Sequence, residues 1–378
     1  MIGLAVLGST GSIGRQTLEV VAALPDRFRV LGLAAGHGGA TFAEQLAAYP
    51  EARAWCAGER PDGLAPGRWA DGGLEELATL DGVDMVVVAT TGMTALPAVL
   101  AALRSGRRAA LANKETLVTG GHLVDAVLAD ERIERRLDRL RPIDSEHSAI
   151  WQCLLGERLE AVERLVLTAS GGPFRGRPAS DLASVTAEEA LAHPTWRMGP
   201  KITIDSATLV NKAFEVIEAK WLYRLPYSKI DAVIHPRSVV HSLVELTDGS
   251  FKAQLGLPDM RLPIQYALTH PERVPSPARH VGPEEWGPLE FAPLERGAYP
   301  AYDVVRDAAA AGGNRGAVVN AADEVAVAAF LDGRIGFTTI APTIASAVER
   351  WGSDDEPALD EIVALDGEIR TALTRELA

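Results

Sequence analysis

A glycine-rich turn, LGSTGSIG at residues 7–14, constrains what this chain can fold into more than any other short stretch of it. It follows the apolar run IGLAVLG at 2–8, which predicts a strand, and it precedes a predicted helix from about Arg15 to Leu24. The glycines at positions 8, 11 and 14 allow a tight turn, let the backbone approach a pyrophosphate and permit close packing of helix on strand. The GxxGxxG spacing is a variant of the usual dinucleotide fingerprint, so a turn that binds no ligand is the alternative. We predict that the helix N-terminus binds the diphosphate of a dinucleotide.

The segments after this turn alternate short apolar runs with helical stretches. FRVLGLAA (28–35), DMVVVAT (84–90) and RRAALAN (107–113) are continuously apolar, which is typical of a parallel sheet covered on both faces. The second strand ends in LAAGHGG (33–39), without the carboxylate that binds the ribose hydroxyls in NAD enzymes. Because an acid there would repel a 2′-phosphate, the sequence favours NADP. The partner of that phosphate is His37, which is only partly charged near neutral pH, Arg15 or another cation.

Size, charge and cysteine content limit the classes of function. A chain of 378 residues exceeds one ordinary domain, so two or three domains are expected. The net charge of −14 argues against nucleic-acid and anionic-membrane partners, although a phosphorylated substrate stays compatible with it. Two distant cysteines, Cys56 and Cys153, form neither a disulfide framework nor a zinc site. With a strand pattern from Ile2 and no apolar run of about 18 residues, we expect a soluble, cytoplasmic protein without a signal peptide or membrane span.

From Asp144 onward the pattern changes. Strands of a mixed sheet are predicted at 164–172, 231–246 and 250–256, with a strong helix near 207–224. The Pro- and Gly-rich residues 271–300 predict an extended linker. After Tyr299 the chain is alanine-rich with helical periodicity, which predicts a small helical bundle.

Two carboxylates stand two residues apart in RPIDSEHSAIWQ (141–152). In the extended segment predicted here, Asp144 and Glu146 project to the same side. Like charges this close are tolerated when a divalent cation binds both, when one is protonated, or when both lie in water.

The helix predicted within DSATLVNKAFEVIEAKW (205–221) supplies a third acid. Asn211, Lys212 and Glu215 share one of its faces because they are three or four residues apart. Such a face is either a salt-bridged surface or a site for a phosphorylated, oxygen-rich substrate beside a metal. Carboxylates without cysteine or paired histidine suit Mg²⁺ or Mn²⁺.

Two loops add candidate ligand contacts. TASGGPFRG (168–176) follows a predicted strand and is suited to an anion. HPTWRMG (193–199) joins a histidine, a tryptophan and a methionine as a loop closing over a ligand would. An ordinary turn and a packed surface loop are the alternatives.

Nine segments, in order, resemble the 1-deoxy-D-xylulose 5-phosphate reductoisomerase family. They are GSTGSIG (8–14), LANKE (111–115), IDSEH (143–147), SGGPFR (170–175), HPTWRMG (193–199), KITIDSATLVNKAFEVIEA (201–219), IHPRSVVHS (234–242), QLGLPDMR (254–261) and NAADEVAVAAF (320–330). The resemblance implies a V-shaped homodimer that uses NADPH and Mg²⁺ or Mn²⁺. It implies conversion of 1-deoxy-D-xylulose 5-phosphate, a sugar phosphate, to 2-C-methyl-D-erythritol 4-phosphate by skeletal rearrangement and then hydride transfer, in non-mevalonate isoprenoid biosynthesis.

The resemblance also implies residue roles. The metal ligands would be Asp144, Glu146 and Glu215, and the phosphate would be held by Ser170, Ser206, Asn211 and Lys212. The rest of the substrate would contact Lys114, Ser145, Glu146, Glu215, His193, His241 and Trp196, and catalysis would involve Lys114, Asp144, Glu146, Glu215, His193 and His241. NADPH would contact Thr10, Gly11, Ser12, Ile13, Gly36, His37, Gly38, Asn113, Glu115, Met198 and Gly199. The family often has Lys and Asn where this chain has His37 and Gly38, which leaves the strength of 2′-phosphate discrimination open.

The predicted fold class is α/β: an N-terminal Rossmann-type doubly wound parallel sheet, an α+β catalytic domain and a C-terminal α-helical bundle. The predicted divisions are an NADPH-binding domain (1–143), a catalytic domain (144–270), a linker (271–298) and the bundle (299–378).

Three other classes of protein compete with this prediction. A semialdehyde dehydrogenase needs a nucleophilic cysteine in a catalytic turn, and neither cysteine of this chain stands in one. A homoserine-dehydrogenase-like enzyme would not explain three acids placed for a divalent ion. A nucleotide-sensing protein would leave Ser170, Asn211 and Lys212 without a use.

Overall fold

The computed structural model describes residues 1–193 and 198–378. The chain divides into two compact units, each assembled from separate stretches of sequence. The first contains Met1–Thr116, Leu123–Trp151 and Asp259–His280, and the second contains Leu117–His122, Gln152–Pro258 and Val281–Ala378. These units differ from the four consecutive segments predicted above, whose boundaries stay a prediction.

A six-stranded parallel sheet forms the centre of the first unit. Its strands are β1 (Ile2–Leu7), β2 (Phe28–Ala35), β3 (Arg53–Cys56), β4 (Met85–Val88), β5 (Arg108–Leu111) and β6 (Leu140–Pro142). They lie in the order β3-β2-β1-β4-β5-β6, which is the order of a doubly wound dinucleotide-binding sheet. All four residues of β4 are buried, as expected for a strand covered on both faces. The predicted parallel sheet is confirmed.

Helices surround this sheet. They are α1 (Ser12–Ala23), α2 (Ala40–Ala48), α3 (Gly73–Ala78), α4 (Leu96–Arg104), α5 (Glu115–Val127), α6 (Ile133–Arg139) and α7 (Ser145–Leu154). A late segment of the chain also belongs to this unit, where the guanidinium of Arg141 donates to the carbonyl of Ala267 at 2.7 Å.

The second unit contains the predicted mixed sheet. Its strands are β7 (Val162–Ala169), β8 (Ile230–Ile234), β9 (Val240–Leu246), β10 (Phe251–Leu255) and β11 (Ala292–Pro293), in the order β10-β9-β7-β8-β11. Only the β7–β8 pair is parallel among these. The stretch predicted as one strand at 231–246 is two strands, β8 and β9, separated by a turn in which Ser238 has a φ of +52°.

Helices complete both units. They are α8 (Ala187–Leu191), α9 (Pro200–Thr208), α10 (Val210–Tyr223), α11 (Arg261–Thr269), α12 (Pro300–Ala311), α13 (Arg315–Leu331), α14 (Ile340–Trp351) and α15 (Leu359–Glu376). Helix α11 lies in the first unit and the others in the second. The last four form the predicted C-terminal bundle, whose buried core includes Val318 and Ile344 and is continuous with Phe214 of α10.

The helix predicted near 207–224 is present as α10 (Val210–Tyr223), but the prediction places its start too early. Helix α9 ends at Thr208 and α10 begins at Val210, because Leu209 between them takes a left-handed conformation with a φ of +57°. The periodicity of the sequence continues across this residue, so the break leaves no simple signal.

Within residues 1–193 and 198–378, no helix is both long and apolar enough to cross a membrane. Cys56 and Cys153 are buried and form no disulfide.

Candidate active site

The glycine-rich turn occupies the four residues between β1 and α1. The backbone N–H groups of Gly8 and Ser9 both donate to the carbonyl of Ala34, at 2.9 and 2.7 Å, so the turn is tied to the end of β2. Gly8 has a φ of +86°, a conformation that disfavours other residues. A Cβ on Gly14 would lie 2.5 Å from the Cα of Ser9, which leaves no room for a side chain. The tight turn at Gly8 and the close packing at Gly14 are therefore confirmed, whereas the approach of a pyrophosphate stays a prediction.

The first turn of α1 is open to a ligand. Its N-cap residue is Gly11, and no side chain caps the helix. Gly11 and Ser12 are exposed, whereas Thr10 and Ile13 are half-buried. Free N–H groups at a helix N-terminus favour an anion. The predicted diphosphate contacts therefore lie together at this end of α1.

Gln45 of α2 holds the turn from the other side, and sequence reasoning missed it. The hydroxyl of Ser9 donates to Gln45 Oε1 at 2.7 Å, and Gln45 Nε2 donates to the carbonyl of Ser9 at 2.9 Å. Ser9 is fully buried and Gln45 nearly so. The only available signal was a glutamine on the apolar face of a helix, which is too common to single out.

The second candidate cofactor loop follows β2. Gly36, His37 and Gly38 are all exposed, and the first turn of α2, which follows, carries no acidic residue. Arg15 is oriented toward the glycine-rich turn, with Nη1 3.2 Å from the carbonyl of Thr10.

The side chain of Asn113 forms hydrogen bonds within the protein. Its amide nitrogen donates to the carbonyls of Thr90 and Gly92 at 2.9 and 2.7 Å, and its amide oxygen accepts from the backbone N–H and hydroxyl of Thr116. The side chain therefore shapes the loop before α5. Glu115 follows as the first residue of α5 and is half-buried.

Asp144 and Glu146 do not lie on an extended segment, so that prediction is wrong. Asp144 lies two residues after the end of β6 and Ser145 begins α7, which places Glu146 in the first helical turn. The Glu146 backbone N–H lies 3.4 Å from Asp144 Oδ1, and the Ser145 hydroxyl donates to Glu146 Oε2 at 2.6 Å. Two acids are favoured at a helix N-terminus because of the partial positive charge there.

Lys114 offsets part of this negative charge. Its ammonium lies 2.8 Å from Asp144 Oδ2, and both side chains are about nine-tenths buried. The two predicted site residues come from neighbouring strands of the sheet, β5 and β6, whose carboxyl ends meet at one edge. The sheet thus brings together residues that are far apart in sequence.

The predicted face of α10 is confirmed. Glu215 accepts from the Asn211 amide at 2.6 Å and from the Lys212 ammonium through a short hydrogen bond. Lys212 and Glu215 are 3% and 1% exposed, which excludes the alternative of a solvated salt bridge. Buried charges need partners, and here Lys212 and Glu215 pair with each other.

The turn after β7 meets the end of α9. Gly171 and Gly172 both have positive φ, and a Cβ on Gly172 would lie 2.6 Å from the carbonyl oxygen of Ser206. The turn that contains Ser170 therefore approaches the backbone at Ser206, and both residues belong to the predicted phosphate site. The Tyr299 hydroxyl donates to the carbonyl of Gly171 at 2.9 Å and supports the turn.

His193 contacts the same turn. Its Nε2 lies 3.2 Å from the Ser170 hydroxyl, which also accepts from the backbone N–H of Gly172. Burial lowers the pKa of His193 below its ordinary value of 6.5, because the charged form loses hydration. The imidazole is therefore neutral at pH 7.

The remaining predicted residues are dispersed. His241 is buried on β9, where Thr168 donates to its carbonyl at 2.7 Å. Gly199 caps the N-terminus of α9 and Met198 is half-buried beside it. Trp196 lies outside the described residues.

The donor set fits a hard divalent cation. Among the described residues, Asp144, Glu146 and Glu215 could each offer one carboxylate oxygen to a metal ion. Oxygen donors of this kind favour Mg²⁺ or Mn²⁺ over zinc. In each unit a buried lysine already pairs with one of these acids, Lys114 with Asp144 and Lys212 with Glu215.

Family models match most of the chain. The model described as 1-deoxy-D-xylulose 5-phosphate reductoisomerase matches residues 4–62 and 65–121. The model of that enzyme's C-terminal domain matches 140–223, and the model described as DXP reductoisomerase C-terminal domain matches 255–372.

Curated relatives are similar over their full length. The 1-deoxy-D-xylulose 5-phosphate reductoisomerase of Pelotomaculum thermopropionicum is 48% identical over 376 residues, which cover 97% of this chain and 96% of the relative. The enzyme of the same name from Thermomicrobium roseum is 48% identical over 383 residues, which cover 100% and 97%.

Solved structures share the fold. A DOX-P reductoisomerase in complex with NADPH, fosmidomycin and magnesium superposes with a TM-score of 0.85 at 33% identity, covering 100% of this chain and 98% of its own. The 1-deoxy-D-xylulose 5-phosphate reductoisomerase of Zymomonas mobilis in complex with NADPH gives 0.85 at 36% identity, covering 100% and 99%.

Proposed function

Because this chain belongs to the 1-deoxy-D-xylulose 5-phosphate reductoisomerase family, we propose that it converts 1-deoxy-D-xylulose 5-phosphate to 2-C-methyl-D-erythritol 4-phosphate with NADPH and a divalent cation. The observation that carries the proposal is 48% identity along the whole chain to relatives of that name. The face formed by Asn211, Lys212 and Glu215, of which Lys212 and Glu215 are buried, supports it independently, because a nucleotide sensor has no use for such a face.

The substrate phosphate is held by the second unit. Ser170 and Ser206 supply hydroxyl groups from adjoining backbone, and Asn211 and Lys212 supply an amide and an ammonium from α10. Lys212 pairs with Glu215, so its donors are already oriented before the substrate binds. Neutral His193 bonds to Ser170, accepting from or donating to its hydroxyl according to its tautomer. Binding energy from this phosphate, which is remote from the reacting carbons, orients the rest of the substrate.

The cation is held by Asp144, Glu146 and Glu215. When bound, it supplies Lewis acidity and a template for neighbouring substrate oxygens. Lys114, paired with Asp144, and Ser145, paired with Glu146, keep both acids oriented and face the substrate's hydroxyl and carbonyl groups. The family resemblance implies that His241 lines the site and that Trp196, which is outside the described residues, contacts the substrate.

Most of the proposed cofactor contacts belong to the first unit. Bound NADPH supplies the hydride for the reduction of the rearranged aldehyde. Its diphosphate lies on Thr10, Gly11, Ser12 and Ile13 at the open end of α1. The 2′-phosphate end of NADPH is held by Gly36, His37 and Gly38. The loop before α5 adds cofactor contacts through Asn113 and Glu115. The nicotinamide is faced by Met198 and Gly199.

Three further features complete the proposal: the oligomeric state, the alternative metal and the compartment. The protein acts as a homodimer, which the family resemblance and the edge strand β10 with its half-exposed Phe251 support. Mn²⁺ supports the reaction in place of Mg²⁺, since both ions prefer oxygen donors. The protein works in the cytoplasm, in keeping with two buried cysteines that form no disulfide.

The test follows the loss of NADPH absorbance after 1-deoxy-D-xylulose 5-phosphate is added. We expect turnover with NADPH and Mg²⁺, weaker turnover with NADH, and none after EDTA treatment until Mg²⁺ or Mn²⁺ is restored. NADPH binding without any substrate-dependent oxidation would instead indicate a nucleotide sensor and contradict the proposal.

A further inference from the structure

The motif at 320–330 has no role in the proposed reaction, yet its polar side chains are buried. Asn320 and Asp323 on α13 of the C-terminal bundle are both fully buried. The Asp323 carboxylate lies 2.7 Å from the ammonium of Lys201 on α9. A buried carboxylate destabilises a protein unless it is paired, so this contact constrains how α13 and α9 pack.

Lys201 contacts three helices at once. Its ammonium lies 2.6 Å from Asp205 Oδ2 on α9, 2.7 Å from Asp323 Oδ2 on α13, and 5.1 Å from the ring centre of Phe214 on α10. Asp205 and Phe214 are also almost completely buried. An ammonium over an aromatic face is attracted by the ring, and the attraction grows as water is excluded.

Each partner on the site side of this contact is the sequence neighbour of a proposed site residue. Asp205 precedes Ser206, and Phe214 precedes Glu215. The break at Leu209 means that no continuous helix fixes α9 relative to α10. Side-chain contacts across the break therefore add to the local bond from the Val210 N–H to the Thr208 hydroxyl, at 3.3 Å, in orienting these two segments.

We infer that Lys201 and Asp323 are positioning residues, through which the C-terminal bundle orients α9 and α10 and so places Ser206 and Glu215 for the substrate. This inference rests on the proposed function. It gives the bundle a part in substrate binding although none of its side chains belongs to the proposed phosphate or metal set.

The test compares two neighbouring carboxylates of α13. Asp323→Asn keeps the size of the side chain and removes its charge, so Lys201 loses its ion pair with α13. We expect the KM for 1-deoxy-D-xylulose 5-phosphate to rise about 10-fold or more, because small misplacements of a binding group are costly, while the KM for NADPH stays within about 2-fold. The matched control is Glu324→Gln, because Glu324 pairs with Arg370 of α15 at 3.0 Å, within the bundle.

A purely structural role predicts a different result. In that case both variants would lower the melting temperature, and Asp323→Asn would have the same KM for 1-deoxy-D-xylulose 5-phosphate as Glu324→Gln. That outcome overturns the inference. If Asp323→Asn does not fold, Lys201→Gln and Lys201→Arg repeat the test from α9: the first should raise this KM and the second should restore most of it. Wild-type KM values in both Lys201 variants contradict the inference equally.

The wild-type chain separates the two proposals. If it oxidises no NADPH with the substrate, the proposed function is wrong. If it turns over normally and Asp323→Asn has an unchanged KM for the substrate, only the positioning inference is wrong.

Discussion

The glycine-rich turn of the first unit and the α10 face of the second unit position their candidate site residues by different physical means. In the first, the backbone does most of the work: Gly8 and Gly14 allow a close turn, and neutral hydrogen bonds between Ser9 and Gln45 hold it. In the second, buried charges do it, as in the Lys212–Glu215 pair. The glycine-rich turn thus depends mainly on backbone conformation and close packing, whereas the α10 face depends mainly on charge.

This difference predicts different sensitivities. A neutral hydrogen bond contributes about 1 kcal/mol net, whereas removing one partner of a buried charge pair costs about 3–5 kcal/mol. The glycine-rich turn should therefore tolerate the loss of a single polar group better than the α10 face does. Added volume should be the more damaging change in the glycine-rich turn.

The largest effect is expected for Glu215→Gln. It removes a proposed metal ligand and leaves Lys212 without its carboxylate partner. We expect kcat/KM to fall at least about 100-fold, roughly 2.7 kcal/mol of transition-state stabilisation, while NADPH affinity, followed by nucleotide fluorescence, stays near normal.

The control for this variant is Glu157→Gln, since Glu157 also pairs with a lysine, Lys252 at 3.2 Å, but is partly exposed. It should keep nearly full activity because exposed ion pairs contribute little. Full turnover of Glu215→Gln at saturating Mg²⁺ would remove Glu215 from the metal site.

A smaller effect is expected for Gly14→Ala. The new methyl group would lie 2.5 Å from Ser9 Cα and 2.6 Å from Ser9 C, so the turn must move. We expect the KM for NADPH to rise roughly 10-fold, about 1.4 kcal/mol, with a smaller change in the KM for the sugar phosphate.

Gly39→Ala is the matched control for added volume. Gly39 precedes α2 with a φ of −106°, and a Cβ there would meet no atom within 4 Å. If both alanine variants bind NADPH like the wild type, close packing at Gly14 does not shape the cofactor site.

The smallest effect concerns pH. Burial lowers the pKa of His193 from 6.5, so the unfolded chain binds this proton more readily than the folded chain does. The free energy of unfolding should therefore fall as pH drops from 6.5 through the folded-state pKa of His193. Urea unfolding of wild type and His193→Gln at pH 7 and pH 5 measures this: the wild type should lose more stability. Parallel losses would show that His193 titrates alike in both states.

Local patterns predicted much of the fold and of the site. The strand at 28–35 has the predicted bounds, and the spacing of Asn211 and Glu215 placed them on one helical face, as the structure shows. Both results depend on interactions between residues close in sequence.

Predictions failed where a local pattern had two possible outcomes. The apolar run before Asp144 was interpreted as continuing in an extended conformation, whereas α7 begins at Ser145. The helical pattern across Leu209 gave no sign of a left-handed residue. In both places, packing with distant parts of the chain decided between conformations that the local sequence allows equally.

The sequence by itself determined the alternation of strands and helices, the glycine turn and the residue types of the site, because backbone sterics and hydrophobic periodicity act over a few residues. Only the tertiary structure decided which distant groups pair. It joined Ser9 to Gln45, Lys114 to Asp144, and Lys201 to Asp323. Such pairs form because buried polar groups must find partners, and the partner available depends on how the whole chain packs.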